Sequence, residues 1–208
     1  MSSTRGNQEQ NNQIKHYRLA ELLVEQTISA LYLAHDEKTN EPVFLVTLQP
    51  DAIKSSELSD RFQRRAETLS QIEHEAILPM LEFGMDGKRP YAVLPYREGM
   101  FLQQHLEKPA QSPAADAPKS DVVASLKLVR QIAAALALAH PTGLIHHDLR
   151  PENIYLDQSG QPLLLDLVVP PTPPIISQAE RAPVTELDYQ SPEQQAGKAL
   201  SGRSNIFS

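Results

Sequence analysis

The stretch His146-His147-Asp148-Leu149-Arg150-Pro151-Glu152-Asn153, followed by Leu165-Asp166-Leu167-Val168, constrains this chain more than any other feature. Between the two lie short apolar runs, Ile154 to Leu156 and Leu163 to Leu165, around the polar turn Asp157-Gln158-Ser159-Gly160. That pattern reads as a hairpin of two short strands. It brings Asp148, Asn153 and Asp166 near the ends of adjacent strands. Their oxygens are hard ligands of the kind Mg²⁺ takes, and one carboxylate is a candidate acceptor for a hydroxyl proton.

Upstream, the runs Tyr17 to Leu23 and Ala30 to His35 read as a hairpin, and Pro42 to Leu48 as a third strand. Leu58, Phe62, Ala66, Leu69 and Ile72 fall on one face of a helix over Leu58 to Glu73. The acidic and basic residues of Lys54 to Arg65 read as its solvated side. Ile77 to Phe83 and Tyr91 to Leu94 predict two more strands joined by Gly84-Met85-Asp86-Gly87, and Phe101 to Leu106 a short helical piece. Asp121 to His140 is the strongest helix, with Val122, Leu126, Val129, Ala133, Leu136 and Ala137 as its apolar stripe, Ser120 as its cap and Pro141 after its end. Much of the proline, 17 residues against 8 glycines, sits in two places. One is the stretch from Glu107 to Ser120, which reads as an exposed insertion. The other is Pro170, Pro171, Pro173 and Pro174, which favour a stiff extended loop. Residues 1–13 are polar and read as a disordered lead-in.

Taken in order, these features resemble the protein kinase family in its bacterial Ser/Thr form. The stretch at His146 to Asn153 is similar to the catalytic loop H-R-D-x-x-x-x-N, and Asp166-Leu167-Val168 to D-F-G. Ser191-Pro192-Glu193 resembles the A-P-E element, and Gly202 to Ser208 the start of the large buried helix of the C-terminal lobe, where Asn205 matches an Asp that ties down the catalytic loop. The resemblance runs from Tyr17 to the end. It implies an α+β, protein-kinase-like fold, with a five-stranded N-lobe carrying one helix and a truncated, mainly helical C-lobe. The expected divisions are a lead at 1–16, the N-lobe at 17–95, and a partial C-lobe at 96–208 with the Pro-rich insertion at 107–120. A full kinase runs to roughly 260 residues, so either the natural polypeptide is longer or the product is truncated. A truncated C-lobe would leave apolar surface of the Asp121 to His140 helix exposed.

The departures from the family cluster in the nucleotide half. Val24, Gln26 and Ser29 stand at the glycine positions of the phosphate loop, where a Cβ blocks close approach of the backbone. Val46 stands at the lysine that pairs with the α- and β-phosphates, and its loss removes the main counter-charge for ATP. Phe44 stands at the alanine that roofs the adenine, on the same strand face as Val46. Arg65 stands at the helix glutamate that pairs with that lysine, and Glu67 points elsewhere. No nearby lysine substitutes: Lys15 precedes the first strand and Lys38 lies in a turn. Val168 replaces the glycine of D-F-G. In the catalytic half, His147 replaces the arginine that clamps a phosphorylated loop. Arg150 stands at the lysine that touches the transferred phosphate.

The resemblance therefore implies a pseudokinase-type binding or regulatory module with a protein partner and no expected cofactor. The alternatives are a weak or atypical Ser/Thr kinase and an inactive fragment. A weak kinase would use ATP and Mg²⁺, with Asp148 and Arg150 as residual catalytic residues and Asn153 and Asp166 as residual Mg²⁺ positions. Those polar residues are equally readable as loop scaffolding. A metal pair at His146-His147 is set aside because adjacent side chains usually diverge, which makes His146 a structural residue. Thr172, Ser177 and Thr185 read as ordinary loop hydroxyls.

Composition narrows the rest. A net charge of -7 argues against non-specific nucleic-acid binding. With no cysteine, disulfides and thiolate metal sites are excluded, and a cytoplasmic setting is expected. No apolar run reaches the roughly 18 residues of a membrane span. The oligomeric state is left open.

Overall fold

A computed structural model describes residues 12–107, 117–171 and 189–208. The chain divides into two compact units. One runs from the first described residue to Ser70 and includes Pro79–Tyr96 and Val168–Pro170. The other takes Gln71–Leu78, Arg97–Leu167 and the described residues from Pro171 onward.

The first unit is built on strands β1 (Gln13–Ile14), β2 (Tyr17–Glu25), β3 (Ser29–Asp36) and β4 (Pro42–Leu48), helix α1 (Ser56–Leu69), and strands β5 (Glu82–Asp86) and β6 (Arg89–Pro95). They form a six-stranded sheet ordered β1-β2-β3-β4-β6-β5, antiparallel throughout. The short β1 is additional to the five strands that the sequence pattern predicts. Val43 and Leu45 of β4 join Ile14, Tyr17, Tyr91 and Val93 in one buried cluster. Strand side chains alternate, so Phe44 and Val46 project from the opposite face of β4.

Helix α1 begins where Ser55 accepts a hydrogen bond from the Leu58 amide, a side-chain cap. Its buried side is Ser59, Phe62, Ala66 and Leu69, the spacing of one helical face. The acid–base run is solvated as expected, with exposed pairs Lys54–Asp51 and Arg61–Glu57. Of the strand predicted over Ile77 to Phe83, only Glu82 and Phe83 are strand, at the start of β5. Ile77 and Leu78 are buried, but only an isolated bridge links Ile77 to His74. Pro79 follows, and proline cannot donate to a ladder. Pairing starts at Glu82 and carries Gly84, Met85 and Asp86 within β5, so the hairpin reverses at Gly87, whose φ is +58°.

The second unit contains β7 (Gly99–Phe101), α2 (Leu102–Glu107), α3 (Ala117–Ala139), β8 (Ile154–Asp157), β9 (Pro162–Leu164), α4 (Pro192–Gln195) and α5 (Gly202–Phe207). Strands β7, β8 and β9 form a small antiparallel sheet. β8 and β9 are the predicted hairpin. Gly99 is needed in β7: a Cβ there would lie 2.0 Å from the Leu156 carbonyl oxygen of β8.

Two readings of α3 are corrected. The helix starts at Ala117, so Ser120 lies inside it and is not its cap. Its buried side is Ile132, Ala135, Leu136 and Ala139, while Val122, Leu126, Val129, Ala133 and Ala137 are exposed. Apolar residues occupy several faces of this helix, and periodicity then cannot choose the buried one. By length and composition Val122–Thr142 is also the one described helix apolar enough to cross a membrane. That is weak grounds for a span, since its C-terminal half has a face buried within the fold. Of the insertion expected at 107–120, residues 117–120 form the start of α3 and 108–116 lie outside the described residues; of the lead expected at 1–16, Gln13–Ile14 form β1 and 1–11 lie outside, as do the loop positions Thr172, Pro173, Pro174, Ser177 and Thr185.

Candidate functional site

The sequence-predicted positions fall into two sets, one in each unit. In the first unit, Phe44 is fully buried and Val46 is 1% exposed. Phe44 pairs with Leu94 and Val46 with Ala92 across β4 and β6. The Phe44 ring packs against Tyr96 with centroids 5.1 Å apart. This strand face is filled by apolar side chains. A purine would have to displace the phenyl ring, and phosphates would meet an aliphatic side chain instead of an ammonium group.

The turn between β2 and β3 is closed on itself. The Gln26 amide donates to the Ser29 carbonyl at 2.9 Å, and the Ser29 hydroxyl donates to Gln26 Oε1 at 2.7 Å. The Gln49 amide donates to the Ile28 carbonyl at 2.8 Å. Ser29 and Ile28 are buried, and Val24 pairs with Leu31 in the ladder. Backbone groups that would cradle phosphate are committed to a hairpin here. Arg65 is half-buried beside the Phe62–Ala66 stripe, while Glu67 is exposed. Lys15 lies with its ammonium 5.5 Å from the centre of the Tyr91 ring. Tyr91 belongs to the buried cluster with Val43 and Leu45, so Lys15 serves the face opposite Phe44 and Val46. The strand face and the turn thus hold apolar side chains and hairpin-bonded backbone at the positions that the resemblance assigns to a nucleotide.

Sequence reasoning missed one polar cluster in this unit. Glu82 accepts hydrogen bonds from the Tyr17 hydroxyl at 2.8 Å and from the Tyr91 hydroxyl. His16 Nε2 lies 3.6 Å from Asp36 and 3.9 Å from Glu82. Burial raises the Glu82 pKa, but the two hydroxyls, His16 and Lys15 outweigh it and hold the carboxyl below its ordinary value. Burial and the Glu82 carboxylate push both tyrosines up. These residues are far apart in sequence and carry no motif, so only strand pairing reveals them.

In the second unit the catalytic-loop residues converge. Asn153, ahead of β8, donates from Nδ2 to the Asp148 carbonyl at 2.9 Å and to Asp148 Oδ2 at 2.7 Å. Arg150 Nε lies 3.0 Å from the same Oδ2 and 4.0 Å from Glu152. Burial raises the Asp148 pKa, and the charge of Asp166 adds to the rise; Arg150, Asn153 and His146 oppose it without cancelling it. Asp166, just past β9, is buried, with Oδ1 2.8 Å from His146 Nε2. Leu167 and Val168 are buried.

Asn205 of α5 fixes the loop backbone. Its Oδ1 accepts from the His146 amide at 3.0 Å and its Nδ2 donates to the His146 carbonyl at 2.6 Å. His140 Nε2 lies 3.0 Å from the same Oδ1. Gln194 adds a hydrogen bond to the His147 carbonyl at 2.8 Å. Glu193 accepts from the Ser204 hydroxyl at 2.5 Å. That bond, then the hydrogen bond from its own backbone amide, holds the Glu193 carboxyl below its ordinary value. One expectation fails: the rings of His146 and His147 do not diverge but stack at 16°, with centroids 6.1 Å apart. The loop backbone at both residues is held by Asn205 and Gln194.

Comparison with known proteins agrees with this architecture. The protein kinase domain family matches residues 17–208. The serine/threonine-protein kinase pkn2 of Myxococcus xanthus is 31% identical over 186 residues, which is 86% of this chain and 21% of that protein. The serine/threonine-protein kinase PksC of Streptomyces coelicolor is 28% identical over 200 residues, 92% of this chain and 35% of that one. The chain thus spans about a fifth to a third of the length of these curated relatives. Among solved structures, the kinase domain of Mycobacterium tuberculosis PknI superposes with a TM-score of 0.66 at 26% identity, covering 93% of this chain and 70% of that one.

Proposed function

The chain belongs to the protein kinase domain family, and from that premise we propose that it is a pseudokinase-type module. It binds little or no ATP and acts in the cytoplasm by engaging a protein partner. The observation that carries this reading is the strand face of β4. A buried phenyl ring and a buried valine stand where the family holds a purine and a lysine. The closed turn at Gln26 to Ser29 supports it, because its backbone is committed to hairpin bonds and its side chains add bulk. In this role the module needs neither ATP nor Mg²⁺.

A second reading has one specific observation in its favour. Asp148, Arg150 and Asn153 keep a polar arrangement in which the carboxylate is held by two partners. A weak Ser/Thr kinase would use Asp148 to accept the substrate hydroxyl proton.

Thermal unfolding with and without Mg²⁺ and ATP separates the two. A ligand at about 100 times its Kd stabilises by roughly 2.7 kcal/mol, a shift of several degrees. The proposal expects no nucleotide-dependent shift and no transfer of labelled phosphate. Clear Mg²⁺–ATP stabilisation, with transfer abolished by Asp148→Asn, would overturn it in favour of the kinase.

A further inference from the structure

We propose that His146, His147 and Asp166 form a site for a borderline divalent metal ion of the Zn²⁺ type, taken up without nucleotide. One ring nitrogen of each histidine and one Asp166 oxygen all lie within 4.8 Å of one another, in a group of two buried residues and one half-buried residue. Zn²⁺ binds such nitrogens and oxygens at about 2.0–2.2 Å, which spaces its ligands by roughly 3.3 Å. His146 Nε2 and Asp166 Oδ1, now 2.8 Å apart, would open slightly, and the widest separation would close by about 1.5 Å.

Two features favour an ion here. The His146 side chain is fully buried, and its Nε2 already faces an Asp166 carboxylate oxygen at 2.8 Å, so two ligand atoms of different residues are brought together. A cation between the two atoms gives both a ligand bond. The loop backbone is also already fixed, by Asn205 at His146 and by Gln194 at His147. Organised ligands lower the ordering cost of binding.

The ligand chemistry separates this site from the Mg²⁺ position of the family. Mg²⁺ takes oxygen ligands and relies on substrate phosphates. Two imidazoles and one carboxylate suit Zn²⁺, Co²⁺ or Ni²⁺. The histidine at 147 makes the difference, because an arginine there has no lone pair to give. Ligation through His146 Nε2 also has a consequence nearby. Nδ1 now accepts the Asp148 amide at 3.3 Å. With a metal on Nε2, the ring proton moves to Nδ1 and that bond is given up, so occupancy of the site changes the backbone of the Asp148 loop.

The test uses Co²⁺ as a spectroscopic stand-in and Zn²⁺ as competitor, added to the whole 208-residue chain without nucleotide. The expected result is one Co²⁺ per chain with visible d–d absorption, displaced by Zn²⁺ and not by excess Mg²⁺. His147→Gln and His147→Arg should each weaken binding at least about 10-fold, on the scale of losses at metal sites. His105→Gln, on the exposed face of α2, should leave it unchanged. Should the His147 variants fail to fold, the ring ¹⁵N resonances of the wild-type chain read the same answer: those of His146 and His147 shift on Zn²⁺ addition. Absence of stoichiometric binding, or binding that is indifferent to His147 and moves other histidine rings instead, overturns the proposal. Loss or gain of nucleotide binding bears on the pseudokinase reading alone and leaves this result unaffected.

Discussion

The β4 face of the first unit and the His146–Asn153 loop of the second hold equivalent importance in the family, yet they have diverged by different rules. On β4, polar and small positions became apolar and bulky: Phe44 and Val46 are as buried as any core residue. In the loop, polarity was kept and rewired. Asp148, Arg150 and Asn153 satisfy one another, and Asn205 grips the backbone through both its oxygen and its nitrogen. The difference follows from what each region loses without a ligand. A lysine facing an empty apolar pocket pays desolvation with no partner, so apolar replacement is stabilising. A loop of buried backbone groups still needs hydrogen-bond partners whether or not catalysis occurs. Under the proposed loss of nucleotide binding, one region is free to become core while the other keeps its polar residues.

The strongest way to break this comparison is Phe44→Ala. If the ring is now a core residue, truncation lowers stability by about 3–5 kcal/mol, measured by urea unfolding, and brings no ATP binding. A variant of near wild-type stability that gains Mg²⁺–ATP binding would show the ring to be a plug, with the pocket intact beneath it. Next in size is Asn205→Ala, which strands the His146 amide and carbonyl. Two orphaned backbone groups predict a loss of about 2–4 kcal/mol. The companion Asn205→Asp restores the residue the family carries, but sets a carboxylate against the His146 carbonyl at the 2.6 Å contact that Nδ2 now makes as donor. It should be destabilised in the same direction. Were Asn205→Asp neutral, the amide would add nothing that the carboxylate lacks.

Much of this arrangement was legible beforehand. Motif order placed Asp148, Asn153 and Asp166 around the β8–β9 hairpin, and strand alternation placed Phe44 and Val46 together, because both inferences rest on local spacing. Helix α3 was misread on its buried face, since apolar residues on several faces leave periodicity nothing to select. The strand before Glu82 was misjudged because hydrophobicity at Ile77 and Leu78 outweighed the missing donor of Pro79. The Glu82 cluster and the pairing of Arg150 with Asp148 were invisible, as neither depends on spacing along the chain. The stacking of His146 on His147 runs against the rule that adjacent side chains diverge.

A smaller test sharpens the contrast within the first unit, on the face away from Phe44. Glu82→Gln keeps shape but weakens the bonds from Tyr17 and Tyr91. The side chain is 35% exposed, so screening limits the cost to about 1 kcal/mol at pH 7. The folded-state carboxyl lies below its ordinary 4.5. Its contribution is therefore present above that value and is lost as pH falls through the depressed pKa. The wild type should lose its advantage over Glu82→Gln on acidification, by urea unfolding at a series of pH values. A constant difference down to acid pH would mean the charge is irrelevant and only shape matters.

The smallest expected effect bears on whether the retained loop is at ease with its own charge. Burial is the largest influence on Asp148 and holds its pKa above the ordinary 3.8. For a carboxyl raised in this way the folded state binds the proton more tightly than the unfolded one. Stability then falls as pH rises from the ordinary value through the raised one, and the cost is present in full at neutral pH. Asp148→Asn removes that cost, and the variant should melt slightly above the wild type at pH 7, with the gap closing as pH falls toward 4. Melting curves across that range decide the matter. A variant less stable at pH 7 would mean that pairing with Arg150 at 3.0 Å outweighs burial. The loop would then be built around a charge pair, not merely keeping one.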